Sequence, residues 1–190
     1  LFGVTAKGSA VKKLKVTNSY FENTNGDSAL MGSIVGRLLG DIHSVYSDAI
    51  IVSNAGFVGG LVGQTWSEPT KIQNSWFDGS ITMTGPKGIR VGGILGEQRE
   101  SEVCIENCLN TADISVEASA TGGLPHAGGI IGQVNAAGAK LYLKDCLNVG
   151  KINNISGRGA VGSILGRGGA ETIVKVENVY TTSESYTVDI

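Results

Sequence analysis

Few residues in this sequence could carry out acid–base, nucleophilic or metal chemistry. The 190 residues include two histidines, His43 and His126, and three cysteines, Cys104, Cys108 and Cys146. They form neither a His-Glu-x-x-His zinc motif nor a Gly-x-Ser-x-Gly nucleophile elbow. The cysteines and His126 are ligand types that zinc prefers, but the close Cys-x-x-Cys spacing of structural zinc sites is absent. We therefore predict no catalytic residue, no metal site and no cofactor.

Two loops hold the candidates for ligand contact. Trp66 and Glu68 lie in a polar turn over 64–69, where an exposed indole ring could stack on a sugar or insert into a protein partner. His126 ends a second loop over 118–126, which lengthens its repeat. Because loops carry function in repeat proteins, the candidate ligand-binding residues are Trp66, Glu68 and His126. The alternative for Trp66 is a ring folded back over the flank of the domain.

A glycine-rich motif recurs through the chain and must position these loops. The composition has 29 glycines, about twice the usual frequency. A glycine, a second glycine or serine, an apolar pair and a final glycine recur at 32–36, 59–63, 92–96, 128–132 and 162–166. Serine replaces the second glycine at Ser33 and Ser163. The copies begin 27, 33, 36 and 34 residues apart.

A second motif alternates with the first at the same period. It reads apolar, any residue, Asn or a relative, small, then aromatic or Leu, at 16–20, 42–46, 72–76, 105–109, 143–147 and 176–180. Around it Leu14 and Val16 alternate with lysines, which is the two-residue period of a strand. Frequent glycine would also destabilise a helix by about 1 kcal/mol each. We predict an all-β, right-handed parallel β-solenoid, or β-helix, of five to six coils in one repeat domain over 1–190.

Stacked coils place equivalent residues in columns. Three apolar columns are expected inside: Val16, Ile42, Ile72, Ile105, Leu143 and Val176; Ile34, Leu61, Ile94, Ile130 and Ile164; and Tyr20, Tyr46, Trp76, Leu109, Leu147 and Tyr180. We expect Trp76 in the core on this basis. The column of Asn18, Ser44, Asn74, Asn107, Asp145 and Asn178 is interpreted as structural, with a ligand stripe as the alternative.

The cysteines fit this pattern as structural residues. Cys108 and Cys146 share a column of small residues, where a free thiol behaves as a small hydrophobe. A disulfide between them stays open, because adjacent coils lie within range of one but the side-chain torsions are demanding.

One outward column is the best location for an enzyme site. It contains Thr17, His43, Gln73, Glu106, Lys144 and Glu177, and its last three members alternate in charge. Solenoid lyases and glycosidases use acidic groups on such a face, so a glycan-active enzyme is one alternative function. Pairing of opposite charges between coils explains the same alternation.

Charge and hydropathy narrow the classes of partner. The formal net charge is -2, and the basic residues are scattered along the sequence, so nucleic acid is not an expected partner. The sequence contains no apolar run long enough for a membrane helix and no signal segment, so we expect no membrane insertion.

The glycine motif resembles the GLUG-motif repeats of bacterial secreted and surface-attached proteins, over nearly the whole chain. Leu1-Phe2-Gly3 and the segment 11–16 also resemble the repeat region of the immunoglobulin A-cleaving zinc metalloproteases. The resemblance implies an extracellular or cell-surface location and a spacing, adhesive or substrate-presenting role without catalytic residues. It implies a host glycan or surface protein as partner. The alternative is an accessory region that positions substrate for a surface metalloprotease. We expect the segment to belong to a longer surface protein.

Overall fold

The chain folds into parallel strands stacked as a β-solenoid of about five turns, and the described residues contain no helix. The computed structural model describes residues 1–26, 29–54, 56–85, 88–99, 102–118, 122–182 and 186–188. The strands in chain order are β1 (Phe2–Val4), β2 (Ala10–Val16), β3 (Tyr20–Asn23), β4 (Leu30–Gly32), β5 (Val35–Leu38), β6 (Asp41–Ser47), β7 (Ile50–Ser53), β8 (Gly56–Gly59), β9 (Val62–Trp66), β10 (Thr70–Gln73), β11 (Trp76–Phe77), β12 (Ser80–Gly85), β13 (Ile89–Gly92), β14 (Leu95–Arg99), β15 (Glu102–Glu106), β16 (Leu109–Asn110), β17 (Asp113–Ala118), β18 (His126–Gly128), β19 (Ile131–Val134), β20 (Lys140–Lys144), β21 (Leu147–Asn148), β22 (Ile152–Asn154), β23 (Ala160–Gly162), β24 (Leu165–Gly168), β25 (Ile173–Glu177), β26 (Tyr180–Thr181) and β27 (Tyr186–Val188).

Four parallel sheets run along the stack. Coils 1 to 5 span 10–38, 41–66, 70–99, 102–134 and 140–168, and β25 to β27 begin a sixth. Sheet A has the order β1-β5-β9-β14-β19-β24, sheet C β27-β22-β17-β12-β7-β3, and sheet D β23-β18-β13-β8-β4. Sheet B contains β2 and β6 and, on either side of a bend, the columns β10-β15-β20-β25 and β11-β16-β21-β26. The predicted all-β solenoid is therefore confirmed.

The bend in sheet B is made by residues in the left-handed conformation. The φ angles of the bend residues are 53° at Lys13, 57° at Ser44, 51° at Asn74, 52° at Asn107, 50° at Asp145 and 52° at Asn178. Asparagine and aspartate tolerate this region better than most residues. Their side chains also bond along the stack, since Asn107 Nδ2 donates to Asn74 Oδ1 over 2.6 Å and Asn178 Nδ2 to Asp145 Oδ1 over 3.0 Å. These bonds and angles give the column a structural role.

Two of the three expected apolar columns form the core. Ile42, Ile72 and Ile105 are fully buried, and so are Ile34, Leu61, Ile94 and Ile130 in the glycine motif. Val176 belongs to the same column, lies on β25, the last strand of that column among the described residues, and is 58% exposed.

The third column faces outward, so the prediction of a core position for Trp76 was wrong. Trp76 is 37% exposed and Tyr180 64%, whereas Phe77 is fully buried. Alternation along a straight strand would place Ile72 and Trp76 on one face. The left-handed residue Asn74 shifts that alternation by one position, so Ser75 and Phe77 point inward instead.

The first repeat was also assigned in the wrong register. The structure pairs Val11 with Ile42, Lys12 with His43 and Lys15 with Tyr46, while Val16 pairs with Ser47. Tyr20 and its neighbours belong to sheet C, where Tyr20 pairs with Ile50. Spacing was the available signal. Val11 lies 31 residues before Ile42, close to the 30 that separate Ile42 from Ile72, whereas Val16 lies only 26 before it.

The glycine motif makes the tight corner between sheets D and A. A Cβ at Gly60 would lie 2.2 Å from Cδ1 of Phe77, and one at Gly93 would lie 2.3 Å from Cγ of Asn110. Both are far inside normal contact distance, so the inward side chains of sheet B occupy the space that a larger residue would need. At the position equivalent to Phe77, coil 2 has Ser47, whose small size is compatible with Ser33.

Candidate functional site

Trp66 lies at the end of β9 with its ring between two arginines. The guanidinium carbon of Arg37, from the coil before, is 4.6 Å from the ring centroid, and that of Arg99, from the coil after, is 4.4 Å away. Arg99 is the register partner of Trp66 in sheet A. Guanidinium groups stack favourably on indole faces. The ring is therefore folded over the flank of sheet A and half-buried, rather than projecting from the turn.

Glu68 lies in the turn after Trp66 and is paired with a lysine from the start of the chain. Its carboxylate is 3.0 Å from Nζ of Lys7. The turn is closed by a bond from the Glu68 amide to the Trp66 carbonyl over 2.7 Å, and Ser67 takes a φ of 58°. Trp66 and Glu68 therefore lie close together in one turn, each with partners from other coils.

A network of polar side chains continues from Trp66 along sheet A. Its members, hereafter the polar network, are Arg37, Gln64, Arg90, Glu97, Gln133, Asn135, His126 and Arg167. Five of them form one in-register column, which runs Arg37, Gln64, Glu97, Gln133 and Arg167. Arg90 and His126 reach it from neighbouring strands of sheet D.

Glu97 is the buried carboxylate of the polar network. It is fully buried, and each of its oxygens accepts one amide hydrogen bond: 2.6 Å from Gln64 Nε2 and 2.9 Å from Asn135 Nδ2. Gln64 in turn accepts a bond from Nε of Arg37 over 3.0 Å. Burial raises the pKa of Glu97, while the amide bonds and the charges of Arg90 and Arg99 oppose that rise.

His126 is 5% exposed and joins the network through Gln133. Gln133 Oε1 lies 2.8 Å from Nε of Arg90 and 2.9 Å from Nδ1 of His126. Because Gln133 Oε1 can only accept, Nδ1 must carry the proton. Nε2 then accepts from Nη1 of Arg167, 3.4 Å away. Burial lowers the pKa of His126, the bond to Gln133 opposes this, and the charges of Arg90 and Arg167 lower it further.

The structure therefore brings together residues that the sequence keeps apart. His126 lies in the polar network and Trp66 beside it, although 60 positions separate them. Four of the five arginines in the chain lie in or against this network, although they are scattered along the sequence. The signal available in the sequence was the position two residues after the apolar pair of each glycine motif, which is Arg, Gln, Glu, Gln and Arg in turn. Residues 119–121 of the long loop lie outside the described residues.

The outward face of sheet B has a shallow depression lined by charged residues. The register corrects the expected column by replacing Thr17 with Lys12. Gln73 Nε2 donates to Glu106 over 2.7 Å, and Lys144 lies 3.6 Å from Glu177. These contacts show pairing between coils, and the depression beside them is lined by Cys104 and Tyr142 as well.

The cysteines are free thiols in the structure. Cys108 and Cys146 are buried and donate to backbone carbonyls, including Ile72 O at 3.4 Å and Ile105 O at 3.4 Å. A hydrogen bond with the Cys146 thiol, together with burial, raises the pKa of the Cys108 thiol well above its ordinary value. Cys104 lies on the outer face of the same sheet, whereas His126 lies in sheet D. Within the described ranges, no three His, Cys, Asp or Glu side chains meet as metal ligands.

Comparisons with family models, with curated proteins and with solved structures found no match to this chain. Across the part of the chain that the structure describes, no helix is long and apolar enough to cross a membrane.

Proposed function

We propose that this chain is a non-catalytic β-solenoid module of a bacterial secreted or cell-surface protein, acting as a spacer and adhesin. The observation that carries the proposal is the bonding of polar columns from coil to coil along the stack. The bend asparagines, the polar network and the outer pair Lys144–Glu177 all link neighbouring coils. Such a stack is a rod that holds surface side chains at fixed spacing, which suits presentation and attachment.

The resemblance of the glycine motif to GLUG repeats supports the extracellular or surface location. The flank of sheet A supports adhesion, because Trp66 and Glu68 lie there with four arginines, while His126 is buried in the polar network of the same flank. Within this proposal the partner is a host glycan or a surface protein, and the module needs no cofactor.

The first test is location. Antibodies against this module would be applied to intact and to permeabilised bacteria that express the complete parent protein. We expect labelling of intact cells, or recovery of the protein from the culture medium. Labelling that requires permeabilisation would contradict the proposal.

The second test is binding and turnover on the same ligands. The module would be applied to arrays of host glycans, bacterial wall polysaccharides and mucins, beside a Trp66→Ala variant and a Trp76→Ala control. We expect binding that falls in Trp66→Ala only. Release of shortened or unsaturated sugars from any bound polysaccharide would instead favour a glycan-active enzyme.

The accessory role beside a surface metalloprotease makes a different prediction. Deletion of the module from a parent protease would then slow cleavage of its protein substrate while leaving cleavage of a short peptide unchanged. Under the spacer and adhesin proposal, deletion changes attachment to the ligand instead.

A further inference from the structure

The flank of sheet A carries an excess of positive charge. Arg37, Arg90, Arg99 and Arg167 lie in or against the polar network, and Glu97 is the one carboxylate of that network. Glu68 lies two residues after Trp66 in the sequence, but its negative charge is already paired with Lys7. The chain as a whole has a formal charge of -2, so this excess is local.

The arginines on this flank are held in place before any ligand arrives. Arg37 is fixed twice, by its Nε bond to Gln64 and by stacking on Trp66. Arg99 stacks on the same ring. A guanidinium that is already immobilised loses less conformational entropy when it binds an anion, and so binds it more tightly.

The same arginines keep unused hydrogen-bond donors. Stacking occupies the face of a guanidinium and leaves the N–H groups at its edge, in the plane that matches a carboxylate or sulfate. Within the part of the chain that the structure describes, the hydrogen bonds of these three arginines use Nε of Arg37 and one Nη group of Arg167. Arg167 is exposed, and Arg37 and Arg99 are half-buried.

The positions of these arginines repeat along the axis. Arg37, Arg99 and Arg167 belong to coils 1, 3 and 5, on strands β5, β14 and β24 of sheet A. Arg37 and Arg167 lie in the same register column, and Arg99 lies two residues further along its strand and hence on the same face. Adjacent strands are about 4.8 Å apart, so strands β5, β14 and β24 recur about every 9.6 Å along the axis.

We propose that Arg37, Arg99 and Arg167 form an axial row of anion-binding positions that binds an acidic polysaccharide lying along the solenoid. Extended acidic polysaccharides carry at least one carboxylate or sulfate in every disaccharide, so an anionic group recurs at intervals no longer than about two coils. This inference rests on the adhesive part of the proposed function, and it names the class of ligand.

A polysaccharide fits this row better than a nucleic acid. Nucleic-acid binding relies on a broad positive field over many closely spaced phosphates. This flank offers three anion positions at every second coil in a chain of net negative charge. Trp66 does not provide a base-stacking platform, because arginines from the flanking coils lie over its ring.

The test is direct binding in solution to defined polymers. The probes are polygalacturonate for carboxylate groups, heparin for sulfate groups, neutral dextran, and a single-stranded DNA oligonucleotide of similar length. We expect the chain to bind polygalacturonate, heparin or both at low salt, to lose that binding at high salt, and to ignore dextran. Arg99→Gln and Arg167→Gln should each weaken the affinity about tenfold, as for a lost hydrogen bond to a charged group.

Lys12→Gln is the matched control, because it removes one positive charge from the outer face of sheet B. It should bind like the unmodified chain. Circular dichroism and melting temperature establish that each variant is folded, and Arg167→Gln changes an exposed side chain and is the variant least able to disturb the fold. The inference would be overturned if the chain bound neither polygalacturonate nor heparin. It would also be overturned if the arginine variants and the Lys12 variant bound with equal affinity, or if DNA bound more tightly than the acidic polysaccharides. If arrays then showed binding to neutral glycans or proteins by a surface-labelled parent, the proposed function would stand without it.

Discussion

At the scale of single residues, the unusual feature is a carboxylate and a histidine enclosed among arginines. Glu97 and His126 are both buried, and both are satisfied by amide side chains, Glu97 by Gln64 and His126 by Gln133. A buried polar network of this kind is stabilising only while each member keeps its partner. Substitutions of Glu97, His126 or their amide partners should therefore lower stability more than a typical substitution on the outer face of a strand.

Replacement of Trp66 should loosen both arginines that stack on it. Trp66→Ala removes two cation–π contacts, and we expect it to lower the free energy of unfolding by about 2 kcal/mol. Trp66→Phe keeps an aromatic face and should lose less. Urea denaturation followed by circular dichroism measures both, and equal losses in the two variants would contradict the stacking role.

His126 should make stability fall on the acid side of neutrality. Its folded pKa is lowered, so the unfolded chain binds the proton more readily. The stabilising contribution is then complete above the unfolded pKa of about 6.5 and is lost as pH falls through the lower folded value. His126→Gln can donate to Gln133 and accept from Arg167 without titrating, so it should flatten this fall in denaturant midpoint. A His43→Gln control that flattened the fall equally would assign it elsewhere.

At the scale of strands and corners, the glycine motif sets how closely sheets D and A approach sheet B. Its second glycine faces Phe77 from Gly60 and Asn110 from Gly93, and the inward side chain and the backbone carbonyl of the next coil together limit whether a Cβ fits. The left-handed residue at the bend in sheet B decides which side chains after it point into the core. One such residue exchanges the inward and outward positions of the strand that follows.

Serine should be tolerated in coil 1 but not in coil 3. A Cβ at Gly93 would lie 2.2 Å from the carbonyl oxygen of Gly129, so the backbone must move. We expect Gly93→Ser to lower the free energy of unfolding by about 3 kcal/mol or more, typical of severe overpacking. The reverse exchange, Ser33→Gly, removes the hydrogen bond from Ser33 Oγ to the Gly60 carbonyl. It should lower the free energy of unfolding by about 1 kcal/mol, the value of one hydrogen bond. Thermal melts compare them, and a similar loss in both would contradict this account.

Much of this element structure could be predicted from the sequence, because repetition reveals which residues are equivalent. The glycine corners, the buried Ile columns and the left-handed asparagines follow from motif and spacing. The outward position of Trp76 could not be read from alternation, since a single left-handed residue reverses it. The polar network was missed because its members are far apart in sequence and each looks like an ordinary surface residue.

At the scale of the whole molecule, each coil contacts its two neighbours, so the stack behaves as a one-dimensional array. Stability in such arrays is approximately a sum of coil and interface contributions. Val4 and Val176 lie on the first and last strands of their sheets among the described residues, and both are exposed.

Removal of one internal coil should leave a shorter folded solenoid. Deletion of residues 103–140 joins Glu102 to Leu141 in register, because Glu102 pairs with Lys140 and Val103 with Leu141. We expect cooperative unfolding with a denaturant m-value about one fifth smaller. The control is a deletion of residues 105–140, which joins Cys104 to Leu141 and leaves the chain two residues out of register. This variant should not fold cooperatively. Equal behaviour of the two deletions would contradict coil-by-coil stacking.

The direction of the hydrogen bonds has a mechanical consequence. Backbone hydrogen bonds between coils, such as the one from the Ile94 N–H to the Ile130 carbonyl, run along the axis of the rod. Tension applied between the two ends therefore loads one coil interface at a time, and the hydrogen bonds of that interface break one after another. Each released coil of about 33 residues can extend by roughly 110 Å. Under tension the module would lengthen in steps and absorb the load, instead of transmitting it rigidly to its attachment.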